Sequence, residues 1–279
     1  MGERILTAER VQAFSKYLCR EEKSEATREK YLRDVGSFRL FLKGNPVTRE
    51  TVSGWKESLV ERGYAPRSVN SMLASVNSLL SFLGWQACRV KNLRLQRQTF
   101  RAEEKELTRA EYLRLLNAAR GRPRLQLALQ TICATGIRVS ELGCFTVEAV
   151  RRGEICVTCK GKTRTILIPG KLRSKLLAYA RERKITAGTV FAGSSGAAWN
   201  RSSIWRQMKA LCRAARVMPS KVFPHNLRRL FARTFYAVRK DIAGLADILG
   251  HSSINTTRIY IMSTGAEHRR QLERLDLLL

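Results

Sequence analysis

The chain has 279 residues, a length that suits one large domain or two, and 44% of them are hydrophobic, enough to bury real cores. Its 52 Lys and Arg outnumber 23 Asp and Glu for a net charge of +29, which repels itself in a compact fold and points to a polyanionic partner, nucleic acid above all. No apolar run of about 18 residues and no signal-peptide core is seen, so neither a membrane span nor secretion is expected and the chain reads as cytoplasmic.

The first amphipathic pattern in chain order is "EATREKYLRDVGSFRLFL", residues 25–42, where Tyr31, Val35, Phe38 and Phe41 or Leu42 recur at helical spacing behind a start signal at Thr27. A second helix follows "NPVTRETV", with Thr48 as its cap. A third, "APRSVNSMLASVNSLLSFLGW", opens at Pro66 and stops around Gly84, with Val69, Leu73, Val76 and Leu80 on its apolar face. Residues 1–95 therefore read as a small all-helical domain. Next, "RVKNLRLQRQTFRAEEKE" switches from Arg89, Lys91, Arg94, Arg97 and Arg101 to Glu103, Glu104 and Glu106. A switch of composition between periodic regions marks a linker, 96–106, and the basic run suits a chain lying along phosphate.

The pattern restarts at Leu107. "LTRAEYLRLLNAARG" carries Thr108 as N-cap and Glu111 three residues on, a capping box, and ends at Gly121. "RLQLALQTICATG" reads as a buried helix stopped by Gly136. In "GEICVTCKGKTRTILIP", β-branched residues alternate on both sides of "KGK", the pattern of a hairpin whose second strand is closed by Pro169. Helices resume at 175–183, 202–215, 227–238 and 242–249. The second domain, 107–279, is thus mainly α with one small antiparallel sheet. Cys156 and Cys159 form "CVTC", but no second cysteine pair or nearby histidine completes four zinc ligands, so no metal site is expected. The seven cysteines, odd in number and mostly among apolar neighbours, read as reduced thiols.

Polar residues in this second half stand where packing does not require them. "ATGIRVSEL" puts Arg138 just past the helix-ending Gly136, with Glu141 on the same side of a new helix. The hairpin tip carries Lys160 and Lys162, and "PHNLRRLFAR" sets His225 and Arg228 one turn apart behind Pro224. "LGHSSINTTRIYI" adds His251 and Tyr260. Each piece alone is commonplace, a solvated face or a turn charge, and a lone tyrosine is usually core filler. Together they form a set suited to phosphoryl transfer: a hydroxyl nucleophile, two guanidiniums, a lysine and two imidazoles. As a nucleophile enters a phosphodiester, charge spreads over the non-bridging oxygens, where arginines offer planar paired donors. The departing oxygen needs a proton, which a lysine on a hairpin tip could deliver. No cluster of carboxylates suggests a two-metal route.

"ATGIRVSEL", "HNLR" and "LGHSSINTTRIY" resemble the three signature boxes of the tyrosine recombinases, the phage-integrase superfamily that includes the Xer recombinases, Cre and lambda integrase. The likeness spans the second domain in order and spacing, and the helical first half is similar to the family's SAM-like core-binding domain. The resemblance implies Tyr260 as nucleophile, Arg138 and Arg228 as the two arginines, His225 as the central histidine, His251 at the later His/Trp position and Glu141 as the supporting acid. "CKGKTRTILIP" is similar to the family's "GKGxKxR…P" if one residue is missing after Gly161, which favours Lys160, with Lys162 as the alternate. Two departures stand out: Arg229 where many Xer relatives have His, and Phe231. Neither is expected to touch the six matched positions. With no arm-binding domain ahead of the helical one, the simpler two-domain form is expected.

The resemblance further implies site-specific recombination through a 3′-phosphotyrosine, without metal, ATP or other cofactor, on double-stranded DNA bearing a core site. It also implies a homo-tetramer on two duplexes, and a mobile-element role is slightly favoured over dimer resolution. The terminal "HRRQLERLDLLL", with Leu272, Leu275 and Leu278 or Leu279 on one stripe, is expected to form a helix that docks on a neighbouring subunit or packs on its own domain. Thr256 and Thr257 are expected to begin or support the helix that carries Tyr260. Two rivals share parts of the pattern: a type IB topoisomerase, which would share the chemistry, and an inert DNA-binding regulator, which would share the charge.

Overall fold

The computed structural model describes residues 4–96, 106–159, 162–193, 199–262, 269 and 272–274. It divides into two compact units, Met1–Arg97 and Gln98–Leu279.

The first unit contains α1 (Ala8–Arg20), α2 (Glu25–Leu42), α3 (Arg49–Glu61) and α4 (Pro66–Phe82). Helix α1 was not anticipated, although Thr7 caps it and its buried Phe14 and Leu18 sit one turn apart. Helix α2 is capped by Ser24 rather than Thr27. Thr27 falls in the first turn, where its hydroxyl pairs with that of Ser24 at 2.8 Å. The apolar stripe of α2 runs through buried Leu42, while Phe41 is exposed. Thr48 and Thr51 cap α3 reciprocally. The four anticipated residues of α4, Val69, Leu73, Val76 and Leu80, all enter the core with Phe14, Phe38 and Trp55.

The basic run that follows α4 begins as an ordered strip on that helix. Asn77 bonds both backbone groups of Val90, accepting at 3.3 Å and donating at 3.0 Å. Asn70, two turns earlier, does the same for Leu93 at 2.7 and 2.9 Å. Val90 and Leu93 lie against the core, and Arg89, Lys91 and Arg94 face solvent. Arg97 and Arg101 lie outside the described residues.

The second unit is built around α6 (Pro123–Thr135), against which α5 (Arg109–Ala118), α8 (Gly170–Glu182), α9 (Arg201–Ala210) and α11 (Pro224–Arg239) pack. Leu129, Ile132, Phe145, Leu176, Phe191 and Leu227 are central to its core. Thr108 and Glu111 form the expected capping box on α5. The segment after Gly136 is not an α-helix but a 3-10 turn, Val139–Cys144, at whose start Glu141 folds its carboxylate back onto the Arg138 backbone N–H at 2.7 Å. A short α7 (Val147–Arg152) leads into the antiparallel strands β1 (Glu154–Cys159) and β2 (Lys162–Leu167). Their register pairs Ile155 with Ile166, Val157 with Arg164 and Cys159 with Lys162.

The helix expected over 202–215 is two, α9 and α10 (Cys212–Ala215), and α11 begins at Pro224 rather than at residue 227. Then come α12 (Ile242–Leu249) and α13 (Ile254–Ile261). Ser253, not a threonine, caps α13, and Thr257 is buried within it. In the C-terminal stretch Leu272 is exposed, whereas Leu275, Leu278 and Leu279 lie outside the described residues. Among the described residues no helix is long and apolar enough to cross a membrane.

Gly136 ends α6 at φ 65°, and a Cβ there would lie 2.4 Å from a ring carbon of Phe231. The Gly136→Ala variant is therefore expected to lose about 2 to 5 kcal/mol, from left-handed strain plus overpacking. Urea denaturation checks this; a loss below about 0.5 kcal/mol, the scale of an indifferent surface change, would contradict it.

Candidate active site

Arg228 sits in the first turns of α11 and is 2% exposed. Helix geometry points it at the ends of two other helices. Its Nη1 donates to the Gly136 carbonyl at the end of α6, at 2.5 Å, and its Nη2 donates to the Leu249 carbonyl at the end of α12, at 2.5 Å. Helix C-termini carry partial negative charge, so these carbonyls replace part of the lost hydration of a buried cation. Burial first, and then the nearby Arg138 charge, lowers the Arg228 pKa to about 10, which leaves it protonated at neutral pH.

The same Nη2 lies 3.1 Å from Nε2 of His251, in the turn after α12. A guanidinium only donates, so Nε2 accepts and the ring proton sits on Nδ1. From there it is donated to the Thr257 hydroxyl at 2.9 Å. Burial, followed by the charges of Arg228, Arg138, Arg164 and His225, lowers the His251 pKa to about 4, so the ring is neutral at physiological pH.

Tyr260, on α13, is 7% exposed. Its ring packs against both histidines, with centroids 5.0 Å from His225 and 5.0 Å from His251. Arg229 stands over the same ring at 5.9 Å, and Phe231 closes on Gly136. Arg229 thus reaches a matched position, contrary to expectation, because α11 presents it to α13, whereas Phe231 meets Gly136, which is not one of the six.

Arg138, Arg228, His225 and Tyr260 line one cavity of about 740 Å³. Arg201, Ser202 and Trp205 of α9 line it as well, and the sequence reading did not single them out. A second omission is Arg164. Its strand partner is Val157, so it occupies the core-facing side of β2 with Ile166. There it binds Glu141 at 2.8 Å, while Arg138 takes the other carboxylate oxygen at 3.2 Å. A charged residue at an inward position of an alternating strand was the available signal. Arg164 also packs on Gly250, whose missing Cβ would lie 2.7 Å from its Cδ.

Lys160 lies outside the described residues, and Lys162 occupies the last pair of the ladder, opposite Cys159. Arg89, Lys91 and Arg94 belong to the first unit. Among the described residues no group of three or more His, Cys, Asp or Glu is arranged to hold a metal ion.

Residues 105–267 match the Phage integrase family, and residues 11–87 match "Phage integrase, N-terminal SAM-like domain". The chain belongs to the phage integrase family. It is 29% identical to tyrosine recombinase XerA of Pyrococcus furiosus, over 100% of this chain and 98% of the relative. It is 30% identical to tyrosine recombinase XerC of Mesorhizobium japonicum, over 94% of this chain and 92% of the relative. A lambda integrase tetramer bound to a Holliday junction shares the fold, with a TM-score of 0.73 at 19% identity over 93% of this chain and 78% of that one. This family member is an enzyme that breaks and rejoins DNA strands site-specifically; the topoisomerase and regulator readings are not favoured.

The environment of His251 makes its titration measurable. With a folded pKa depressed to about 4 against an ordinary 6.5, the unfolded chain binds a proton that the folded chain refuses between those values. The stability contributed by this group is therefore complete above the ordinary value and falls as pH drops through that window. Proton NMR of the His251 ring is expected to show a midpoint near 4, and a midpoint near 6.5 would contradict the buried, cation-ringed site.

Proposed function

We propose that this integrase-family enzyme uses Tyr260 to attack the scissile phosphate of a core site in duplex DNA. The observation that carries the reading is the tyrosine ring packed against two histidines on the wall of a cavity also lined by Arg138 and Arg228. The phenol oxygen bonds to phosphorus as the bond to the 5′ oxygen breaks, leaving a 3′-phosphotyrosine and a free 5′-hydroxyl. Arg138 and Arg228 hold the non-bridging oxygens as charge builds there. His225, beside the tyrosine, takes the phenol proton, and Lys160, or Lys162, protonates the departing oxygen. The 5′-hydroxyl of the partner duplex then reverses the step. The phosphate remains an ester throughout, so rejoining needs no nucleotide hydrolysis.

The charge distribution supports the same partner. Arg89, Lys91 and Arg94 point outward from an anchored strip, and with Arg97 and Arg101 they follow the phosphate backbone. Four chains assemble on two duplexes, as in the lambda integrase tetramer on a Holliday junction. A cytoplasmic location, where that DNA is, follows from this reading.

Tyr260→Phe is expected to bind DNA normally yet give no covalent adduct on a nicked suicide duplex carrying an inverted-repeat core site, to be sought in the DNA flanking the gene. An adduct at wild-type yield would remove Tyr260 from the role. Paired core sites on a plasmid should exchange strands, while relaxation of site-free supercoiled plasmid would favour a topoisomerase. Deleting the residues after Thr264 is expected to leave binding to one core site intact and to reduce synapsis of two; unchanged recombination would show that the tail plays no part in assembly.

A further inference from the structure

Thr257 is the most deeply buried hydroxyl touching this site, with 0% of its surface exposed. Its position inside α13 is not explained by capping, since Ser253 caps that helix. Its Oγ1 faces the Nδ1 of His251 at 2.9 Å, and the opposite ring nitrogen faces Nη2 of Arg228 at 3.1 Å. A line of three side chains therefore runs from the interior of α13 to the arginine on the cavity wall. Along it each donor–acceptor sense is fixed by the next. Arg228 can only donate, so His251 must accept at Nε2 and donate at Nδ1, so Thr257 must accept.

The consequence for Arg228 can be counted. Of the five N–H groups of a guanidinium, one is taken by the Gly136 carbonyl, one by the Leu249 carbonyl and one by His251. Two remain, and Nε is one of them, buried with no hydrogen-bond partner in the structure. Three fixed acceptors hold the guanidinium plane still. If His251 turned to the other tautomer, Nε2–H would confront Nη2–H, donor against donor, and the plane would lose one of its supports.

We propose that Thr257 is a positioning residue of this enzyme: its hydroxyl accepts the Nδ1–H that Arg228 imposes on His251 and so pins the ring, and His251 in turn holds the plane of Arg228 for the phosphate. The proposal rests on the assignment of Arg228 as a phosphate ligand. The charged and titratable groups facing His251 are Arg228 and His225 of α11, Arg138 beside the 3-10 turn, Arg164 of β2 and Tyr260 of α13. With this much positive charge around the ring, protonating it would turn an acceptor into a fourth cation, and the arrangement works only with the ring neutral.

The test uses the full chain in three forms: wild type, Thr257→Ser, which keeps the hydroxyl, and Thr257→Val, which keeps the shape and removes it. Nitrogen-15 NMR of the ring nitrogens, in protein free of DNA, reads the tautomer directly. The chain has only three histidines, and His251→Asn assigns the signal. Wild type and Thr257→Ser are expected to show a protonated, hydrogen-bonded Nδ1 and a bare Nε2, and Thr257→Val to lose the hydrogen-bonded shift of Nδ1–H. In single-turnover cleavage of the nicked duplex, Thr257→Val is expected to slow adduct formation by about 10- to 100-fold, the usual scale for removing the group that orients a functional histidine. Thr257→Ser should stay within a few-fold, and the binding affinity of all three should match. The proposal is overturned by an Nε2–H ring in wild type, by wild-type cleavage in Thr257→Val, or by equal damage from Ser and Val. If Thr257→Val does not fold, the wild-type spectrum and the serine variant still decide. Failure of the cleavage reading itself would appear separately, as a Tyr260→Phe protein that still forms adduct, and the tautomer spectra stand apart from that result.

Discussion

A guanidinium with almost no water around it must be held by fixed dipoles, and Arg228 is held by the ends of two helices. The carbonyls that close α6 and α12 point at it from different directions. Each has no intrahelical partner by virtue of its place at a helix end, and each carries the negative pole of its helix. The remainder of the site is arranged about this meeting. His251 follows two residues after Leu249, Tyr260 is on the next helix, and Arg138 leaves the same turn as Gly136. Two glycines make the approach feasible: at φ 65° and 62°, Gly136 and Gly250 turn the chain where side chains would collide with Phe231 and Arg164.

Much of this was legible because it is local. Thr48, Thr108 and Gly136 announce helix ends through contacts made within a few residues, and the hairpin announces itself by alternation. The residues around "LGHSSINTTRIYI" were legible through resemblance, since no local rule separates Tyr260 from a core tyrosine. What escaped was tertiary. Arg164 sits on a strand at a position that faces inward toward Glu141, a contact made only in the folded chain. Thr257 was read as helix support, since its hydrogen bond is made to a residue in the preceding turn. Arg201 and Trp205 sit on a helix that only the fold brings to the cavity.

The electrostatics are lopsided in a way that suits the chemistry. A single carboxylate, Glu141, serves both Arg138 and Arg164, and Arg228 has dipoles rather than a carboxylate directly against it. Positive charge is therefore left incompletely balanced at the cavity wall. The lowered pKa values of Arg228 and His251 come first from burial and then from this excess of positive charge. A phosphodiester entering the cavity would relieve it, and the charge that develops during attack would relieve it further.

The two asparagines of α4 have an effect beyond their own hydrogen bonds. By gripping the backbone at Val90 and Leu93, they settle the shape of a basic segment before any partner arrives. A free polycation would have to surrender that conformational entropy on meeting a polyanion; this one has surrendered it during folding, at about 1 to 2 kcal/mol per residue. The grip is on the main chain, so the side chains of Arg89, Lys91 and Arg94 can drift in sequence over evolutionary time while the track that displays them stays in place.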